Sequence, residues 1–418
     1  MKYKESKSVE LKRELTKAYL KTVSAFANYD GGEIIFGVSD AGDIVPIKDL
    51  KAFCLSIENQ INDSVKPKPD YSIKINEEGT ITVLVKKGVS TPYCYDKKAY
   101  TRNDTSTVEV DSIEYKRLVL RGINLDYEEL PSPNQNLTFH VLEEECLSKL
   151  KLSTFSTDTL KTLNLYSDEN GYNIAALLLS DNNNSPGLDI VIFGSDINEI
   201  RQRVTLAGKS LISQYFEALE IFKKQYMFER ISNGVREEKE KIPYNAFREA
   251  LANSLIHRAW DIYANSKVEM YADRIIISSP GGLVEGITKE SFLKGSFLVL
   301  RNPITANVFL RLRIVEILAT GIKRINDAYK DSLSKPSFDV MSSAISIALP
   351  LYGDMNLNAN ERKVIDAMAV NRQYRREEIE DLTSLKKDTL IRVLNSLIKK
   401  NQILKTGKAK AVIYSRNA

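Results

Sequence analysis

The sequence predicts an α+β protein of several domains, and three observations carry that prediction. Its 418 residues exceed what one ordinary core accommodates and divide, at a typical domain size, into about three units. Helical and strand-like apolar patterns alternate along the chain, so neither period dominates. A basic unit also stands apart at the C-terminal end. Residues 358–418 hold fourteen Lys/Arg against seven Asp/Glu, a local balance of +7 beside +4 for the whole chain, so the rest is slightly acidic.

Composition narrows the class. With 43% hydrophobic and 27% charged residues the chain is ordinary globular material, which argues against wholesale disorder. No stretch approaches the roughly 18 consecutive apolar residues a membrane span needs. The opening MKYKESKSVELKREL lacks the apolar core of a signal peptide, so a cytoplasmic protein with no membrane partner is expected. Cys54, Cys94 and Cys146 are odd in number and lack metal-ligand spacing, which fits a reduced compartment and no zinc site.

The elements follow in order. Residues 1–122 open on a helical pattern at Val9, Leu11, Leu15, Tyr19, Val23 and Phe26, then give strand-like runs in GGEIIFGV, TITVLVK and AYTRNDTSTVEV. Gly31 and Gly32 suit a tight turn between helix and strand, with Asn28 and Asp30 as a local cap or Asx-turn. Residues 123–136, rich in acids, Pro and Asn, read as a linker. A connecting α/β region at 137–239 holds a helix, a helix-then-turn at NGYNIAALLLSDNNNSPG, a strand at LDIVIFG and a long helix across SLISQYFEALEIFKKQYMF. The GKS at 208–210 is no phosphate loop, because Arg203 stands where that motif needs glycine.

Residues 240–354 form the next domain. In YNAFREALANSLIHRAW, Glu249, Asn253 and His257 recur every fourth residue on one helical face. A carboxylate can orient water, an amide oxygen can hold magnesium, and a Gly-rich loop lets backbone approach phosphates. That combination is a nucleotide-site recipe. DRIIISSPGGL, RNP at 301–303 and EILATGIKRI at 316–325 come after it.

The last unit, 355–418, reads as three short helices and two strands around a Gly/Lys turn, the pattern of a winged helix-turn-helix. Lys386, Lys387, Thr389 and Arg392 would face phosphates and base edges from the third helix, with Lys405, Lys408 and Lys410 lining the wing.

Two resemblances extend this reading. ESKSVELKREL at 5–15, FANYDGGEIIFGVSDAG at 26–42 and TPYCYDKKAYTRNDTST at 91–107 resemble the Schlafen-type, AlbA-like domain that begins many candidate bacterial regulators. That resemblance implies nucleic-acid binding, with Lys12, Arg13, Lys97, Lys98 and Arg102 as phosphate contacts. Animal Schlafen proteins use two glutamates and an aspartate as a metal-dependent RNase site, so Glu5, Glu10 and Asp40 form an alternative metal-binding catalytic set for RNA or DNA. The blocks between 244 and 325 resemble the divergent GHKL-like ATPase domain, an α/β sandwich often paired with a C-terminal winged helix in proteins labelled helicase-related. It implies ATP and Mg2+ as cofactors, with Glu249 polarising water, Asn253 binding magnesium, and His257, Gly281, Gly282, Arg301, Asn302, Thr320 and Gly321 around the nucleotide. The aspartate that contacts adenine in the wider superfamily has no clear counterpart within SSPGGL.

The expected function is therefore a DNA-binding transcriptional regulator whose central domain binds ATP and modulates DNA binding, as a homodimer. A Schlafen-like nuclease and an interaction scaffold with a degenerate nucleotide fold are the alternatives.

Overall fold

The computed structural model describes residues 3–416 apart from 233–234, 285, 296–298, 316–320, 353–357, 370–371, 401 and 408–411. It is a mixed α+β, multidomain protein. The N-terminal unit runs β1 (Val9–Lys12), α1 (Tyr19–Asn28), β2 (Gly32–Phe36), α2 (Leu50–Ser64), β3 (Val65–Lys66), β4 (Tyr71–Ile75), β5 (Ile81–Val85), β6 (Cys94–Tyr95), β7 (Lys98–Asn103), β8 (Ser106–Glu109) and α3 (Ser112–Gly122). One sheet has the order β1-β2-β5-β4 and a second the order β3-β6-β7-β8. Nearly all of α1 is buried, and it contributes to a core shared with β2, α2 and β5.

Two sequence expectations change here, and one holds. Val9 and Leu11 belong to strand β1, because their segment pairs in parallel with β2, a partner more than twenty residues away. Only the later part of the pattern is helical. Asn28 is a cross-brace and no local cap: its amide donates to the Tyr93 carbonyl at 2.9 Å and accepts from the Tyr93 amide at 2.7 Å. Gly31 does make the turn, at φ +77°, where a Cβ would sit 2.8 Å from the Val85 carbonyl oxygen.

The central unit begins with a 3-10 turn at Tyr127–Glu129, inside the expected linker, and Glu128 is fully buried. Then come α4 (His140–Leu150), α5 (Thr157–Thr162), β9 (Tyr166–Ser167), β10 (Gly171–Tyr172), α6 (Ile174–Leu179), β11 (Leu188–Phe193), β12 (Ile200–Leu206), α7 (Leu211–Tyr226), β13 (Met227–Ser232), β14 (Val235–Glu240), α8 (Tyr244–Ile256), β15 (Ser266–Met270), β16 (Arg274–Pro280), α9 (Lys289–Lys294), α10 (Pro303–Arg311), α11 (Gly321–Ala328), β17 (Ser337–Val340) and β18 (Ala344–Pro350). The main sheet has the order β12-β11-β15-β16-β18-β17, with β11 and β15 parallel. One hydrophobic core runs from Phe139 to Leu349. The expected division at 239/240 therefore crosses a single core and a single sheet. What lies there is an antiparallel hairpin, β13–β14, between α7 and α8.

The C-terminal unit comprises α12 (Ala359–Ala367), β19 (Gln373–Tyr374), α13 (Arg376–Thr383), α14 (Lys387–Lys399), β20 (Ile403–Thr406) and β21 (Ile413–Arg416), the strands ordered β19-β21-β20. Leu390, Val393, Leu394 and Leu397 of α14 pack on Val364 and Ile365 of α12. A charged staple closes the unit, with buried Glu361 accepting from Lys400 at 2.8 Å while its box with Asn358 caps α12. Among the described residues no helix is long and apolar enough to cross a membrane.

Candidate functional site

The amphipathic helix α8 turns Phe247, Leu251 and Leu255 into the core. The opposite spacing brings Glu249, Asn253 and His257 to the wall of a cavity. Its floor is the sheet: Ile277 and Ser279 of β16 and Ile345 and Ile347 of β18 share one face. Gly282 to Val284, Ile287 and Phe292 close one side, and Arg301, Ala306, Val315 and Gly321 another.

Close packing fixes the polar end. A Cβ on Gly321 would lie 2.7 Å from the Asn253 Nδ2 and 2.8 Å from the Glu249 Oε1, so α11 begins with bare backbone against that pair. Glu249 is 7% exposed, and its Oε2 lies 4.0 Å from Arg324 on α11. His257 caps α8, its amide bonded to the Asn253 carbonyl at 3.0 Å. Burial, reinforced by the nearby Arg301 guanidinium, pushes its imidazole down to about 4, so it is neutral at physiological pH.

The glycine turn and the RNP segment form the other frame. Gly281 has φ +97°, packs on Ala259, and donates its amide to the Ser343 carbonyl at 2.8 Å. Gly282 lines the cavity, and its carbonyl accepts from Arg301 Nη2 at 2.6 Å. Asn302 is spent differently. It is buried and donates Nδ2 to the Ile256 and Arg258 carbonyls at 2.6 and 2.9 Å, tying the end of α8 to the start of α10. Thr320 lies outside the described residues.

Two links missed by sequence reasoning tie this frame to earlier segments, one from the N-terminal unit and one from the 3-10 turn that opens the central unit. Arg117 of α3 grips Asp261, just beyond α8, through two bonds of 2.7 and 3.1 Å. Glu128 accepts the Ile304 amide, the Thr305 amide at 3.0 Å and the Thr305 hydroxyl at 2.6 Å, at the N-terminus of α10. Nothing in the local pattern around either residue signals a partner more than 140 positions away. The floor residues did carry a signal, since Ile277 and Ser279 obey the two-residue period of a strand.

The N-terminal candidates separate. Glu10 is 7% exposed and bound by Arg102 Nη1 at 2.5 Å and Lys12 Nζ at 2.5 Å. Glu5 accepts the Leu11 amide at 3.1 Å, and Asp40 is exposed. No group of three His, Cys, Asp or Glu among the described residues could hold a metal ion, so Glu5, Glu10 and Asp40 are not brought together as one. Arg102, expected to meet phosphate, points inward, bonded also to Thr107 at 3.0 Å and the Ser6 carbonyl at 3.0 Å. Arg13 and Lys97 are exposed, and Lys98 is exposed with Glu109 at 2.6 Å.

In the C-terminal unit Lys386, Lys387 and Arg392 are exposed on or beside α14, Thr389 is half-buried, and Lys405 is exposed on β20. Lys408 and Lys410 lie outside the described residues.

Comparison with protein families gives two matches. Residues 5–111 match the family described as Schlafen, AlbA_2, and residues 264–349 match the one described as putative ATP-dependent DNA helicase recG C-terminal. The second match covers the floor, glycine turn and α10 side of the cavity. Comparison with curated proteins finds no match. Among solved structures, the DIP2311 protein from Corynebacterium diphtheriae is similar in fold, at 17% identity and a TM-score of 0.50, over 98% of this chain and 92% of that one.

Proposed function

We propose that this chain is a cytoplasmic DNA-binding regulator whose central unit binds ATP with Mg2+ and thereby alters its grip on DNA. The observation that carries this reading is the cavity, which gathers Glu249, Asn253, His257, Gly282, Arg301 and Gly321 from stretches dispersed over more than seventy residues. A helicase-related, ATP-dependent family description on residues 264–349 supports the nucleotide, and the Schlafen, AlbA_2 description supports a nucleic-acid setting. The bare backbone at Gly321 over Asn253 and Glu249 suits phosphates and a hard cation, since an amide oxygen and a carboxylate are ligands of the type Mg2+ takes. Asn253 would hold the ion, whose charge would offset that of the phosphates. Glu249 would orient water by accepting its hydrogen bond.

The output is assigned to the C-terminal unit as a winged helix-turn-helix, on its helix-strand-helix-helix-strand-strand order and the exposed Lys386, Lys387, Arg392 and Lys405. Lys12, Arg13, Lys97 and Lys98 are proposed as further nucleic-acid contacts, and a homodimer as the functional unit on two-fold DNA sites. ATP acts by binding two arrangements of the units with different affinity.

Thermal melting with and without Mg·ATP tests the nucleotide. Stabilisation of about 2–3 kcal/mol is expected at ligand near 100 times Kd, and Asn253→Ala should remove most of it. No shift at millimolar ATP would overturn the reading. Duplex DNA binding should weaken steeply with salt, and replacing Lys386, Lys387 and Arg392 by Ala should lower the slope of log affinity against log salt by about 3. An unchanged slope would remove the assigned DNA face.

A further inference from the structure

A second cavity, of about 310 Å³, opens where the last helix of the N-terminal unit meets the 3-10 turn that begins the central unit. It shares no lining residue with the cavity beside α8. On one side α3 presents Ile113, Lys116, Arg117 and Leu120, which recur at the spacing of a single helical stripe. Tyr127 and Leu130 stand on the other side, and Asp261 joins from the loop after α8. A cleft between two units, of this volume and with a mainly apolar lining, has the setting of a small-molecule site.

Packing within the chain does not use up the stripe. Leu118 is the fully buried residue of α3, whereas Ile113 is 38% exposed and Leu120, Tyr127 and Leu130 are half-buried. An occupant with an apolar body would take that surface out of water. The charged residues of the lining give the occupant its sign. Arg117 is committed, bonded twice to Asp261 and lying 3.4 Å from Glu114. Lys116 is exposed and enters no ion pair among the described residues. A lysine beside an apolar stripe lays its stem along that surface and keeps its ammonium at the water boundary, where it can meet a ligand's charged end. A cationic occupant would be repelled there, and a small anion without an apolar body would leave the walls wet.

We propose that this cleft binds an apolar carboxylic acid, its hydrocarbon or aryl body between α3 and the 3-10 turn and its carboxylate at Lys116. The site is independent of the nucleotide reading. Because its walls come from both units, an occupant would also hold α3 against the central unit.

The test is calorimetric titration of the full chain with octanoate and 2-naphthoate, each against its neutral alcohol, octanol or 2-naphthol, and with the cation octyltrimethylammonium. At least one carboxylate should saturate a single site with a Kd on the order of 0.1–1 mM, the affinity open to a ligand of about ten non-hydrogen atoms. Whichever carboxylate binds more tightly identifies the body as a chain or a ring. Its alcohol should bind about three- to fivefold more weakly, the scale of one solvent-exposed ion pair, and the cation more weakly still. Lys116→Gln, a change at an exposed residue that keeps the fold, should bring the carboxylate down to the level of the alcohol and leave the alcohol unchanged. Ile113→Gln should weaken carboxylate and alcohol by the same factor, about three- to fivefold. Failure of both carboxylates to saturate by about 5 mM overturns the inference. So does an alcohol that binds as tightly as its acid, or a Lys116→Gln variant that binds the acid as the wild type does.

Discussion

Glu10 in the N-terminal unit and Glu249 in the central unit are equally buried, at 7% exposure, yet their surroundings differ in kind. Glu10 has a cation on each oxygen, Lys12 on Oε1 and Arg102 on Oε2, both at 2.5 Å. Arg102 is itself only 4% exposed in its side chain and stacks over Phe26 at 5.6 Å. Glu249 instead faces a cavity, with glycine backbone against one oxygen and Arg324 at 4.0 Å from the other. Burial alone does not separate a structural carboxylate from a functional one. What separates them is setting: Glu10 is enclosed between two cations, whereas Glu249 lines a cavity together with Asn253 and His257.

The largest expected effect breaks the Glu10 side of that comparison. Arg102→Ala leaves Glu10 with half its compensation and should cost about 3–5 kcal/mol in the urea unfolding of the N-terminal unit. Pairing Arg102→Met with Glu10→Leu should recover most of that loss, because no charge is then left buried alone. A neutral Arg102→Ala would mean that Glu10 is not held as a structural ion, and would reopen the nuclease alternative. The next effect sharpens the Glu249 side. Gly321→Val drives a side chain into Asn253 and Glu249 and should weaken Mg·ATP binding about 100-fold, or roughly 2.7 kcal/mol, with the N-terminal unit's unfolding unchanged. Retained affinity would remove the polar end of the cavity from the site.

How much of this was legible follows from which interactions are local. The spacing of Glu249, Asn253 and His257 needs only helical geometry, so the sequence shows the shared face, and SSPGG shows its turn. The α12, α13 and α14 segments are readable for the same reason, as the three short helices expected within 355–418. Strand β1 is not, because Val9 and Leu11 also fit a helical spacing and only the parallel pairing with β2 decides. Arg102 looks like a surface cation in TRNDTST, and its inward turn depends on Glu10, ninety-two positions away. The continuity of the central core across 239/240 is hidden by the β13–β14 hairpin, whose charged VREEKE run resembles a domain edge.

Glu128 supplies a third case, intermediate between the other two. It is fully buried, and its partners are two amides and a hydroxyl at the start of α10. Burial pushes its carboxyl up to about 7, against the pull of the Thr305 and Ile304 hydrogen bonds. In the unfolded chain the group titrates near 4.5, so between the two values the folded chain keeps a proton that the unfolded chain has released. Stability should therefore fall as pH rises from about 4.5 to 7 and then level off, by on the order of 3 kcal/mol attributable to this group. Urea midpoints at pH 5 and pH 7.5 measure the fall, and Glu128→Gln should flatten it. A Glu128-dependent gain in stability over the same window would mean that donors at the N-terminus of α10 hold the carboxylate ionised. Backbone amides would then substitute for cations, and Gly321 could be asked to do the same for phosphate.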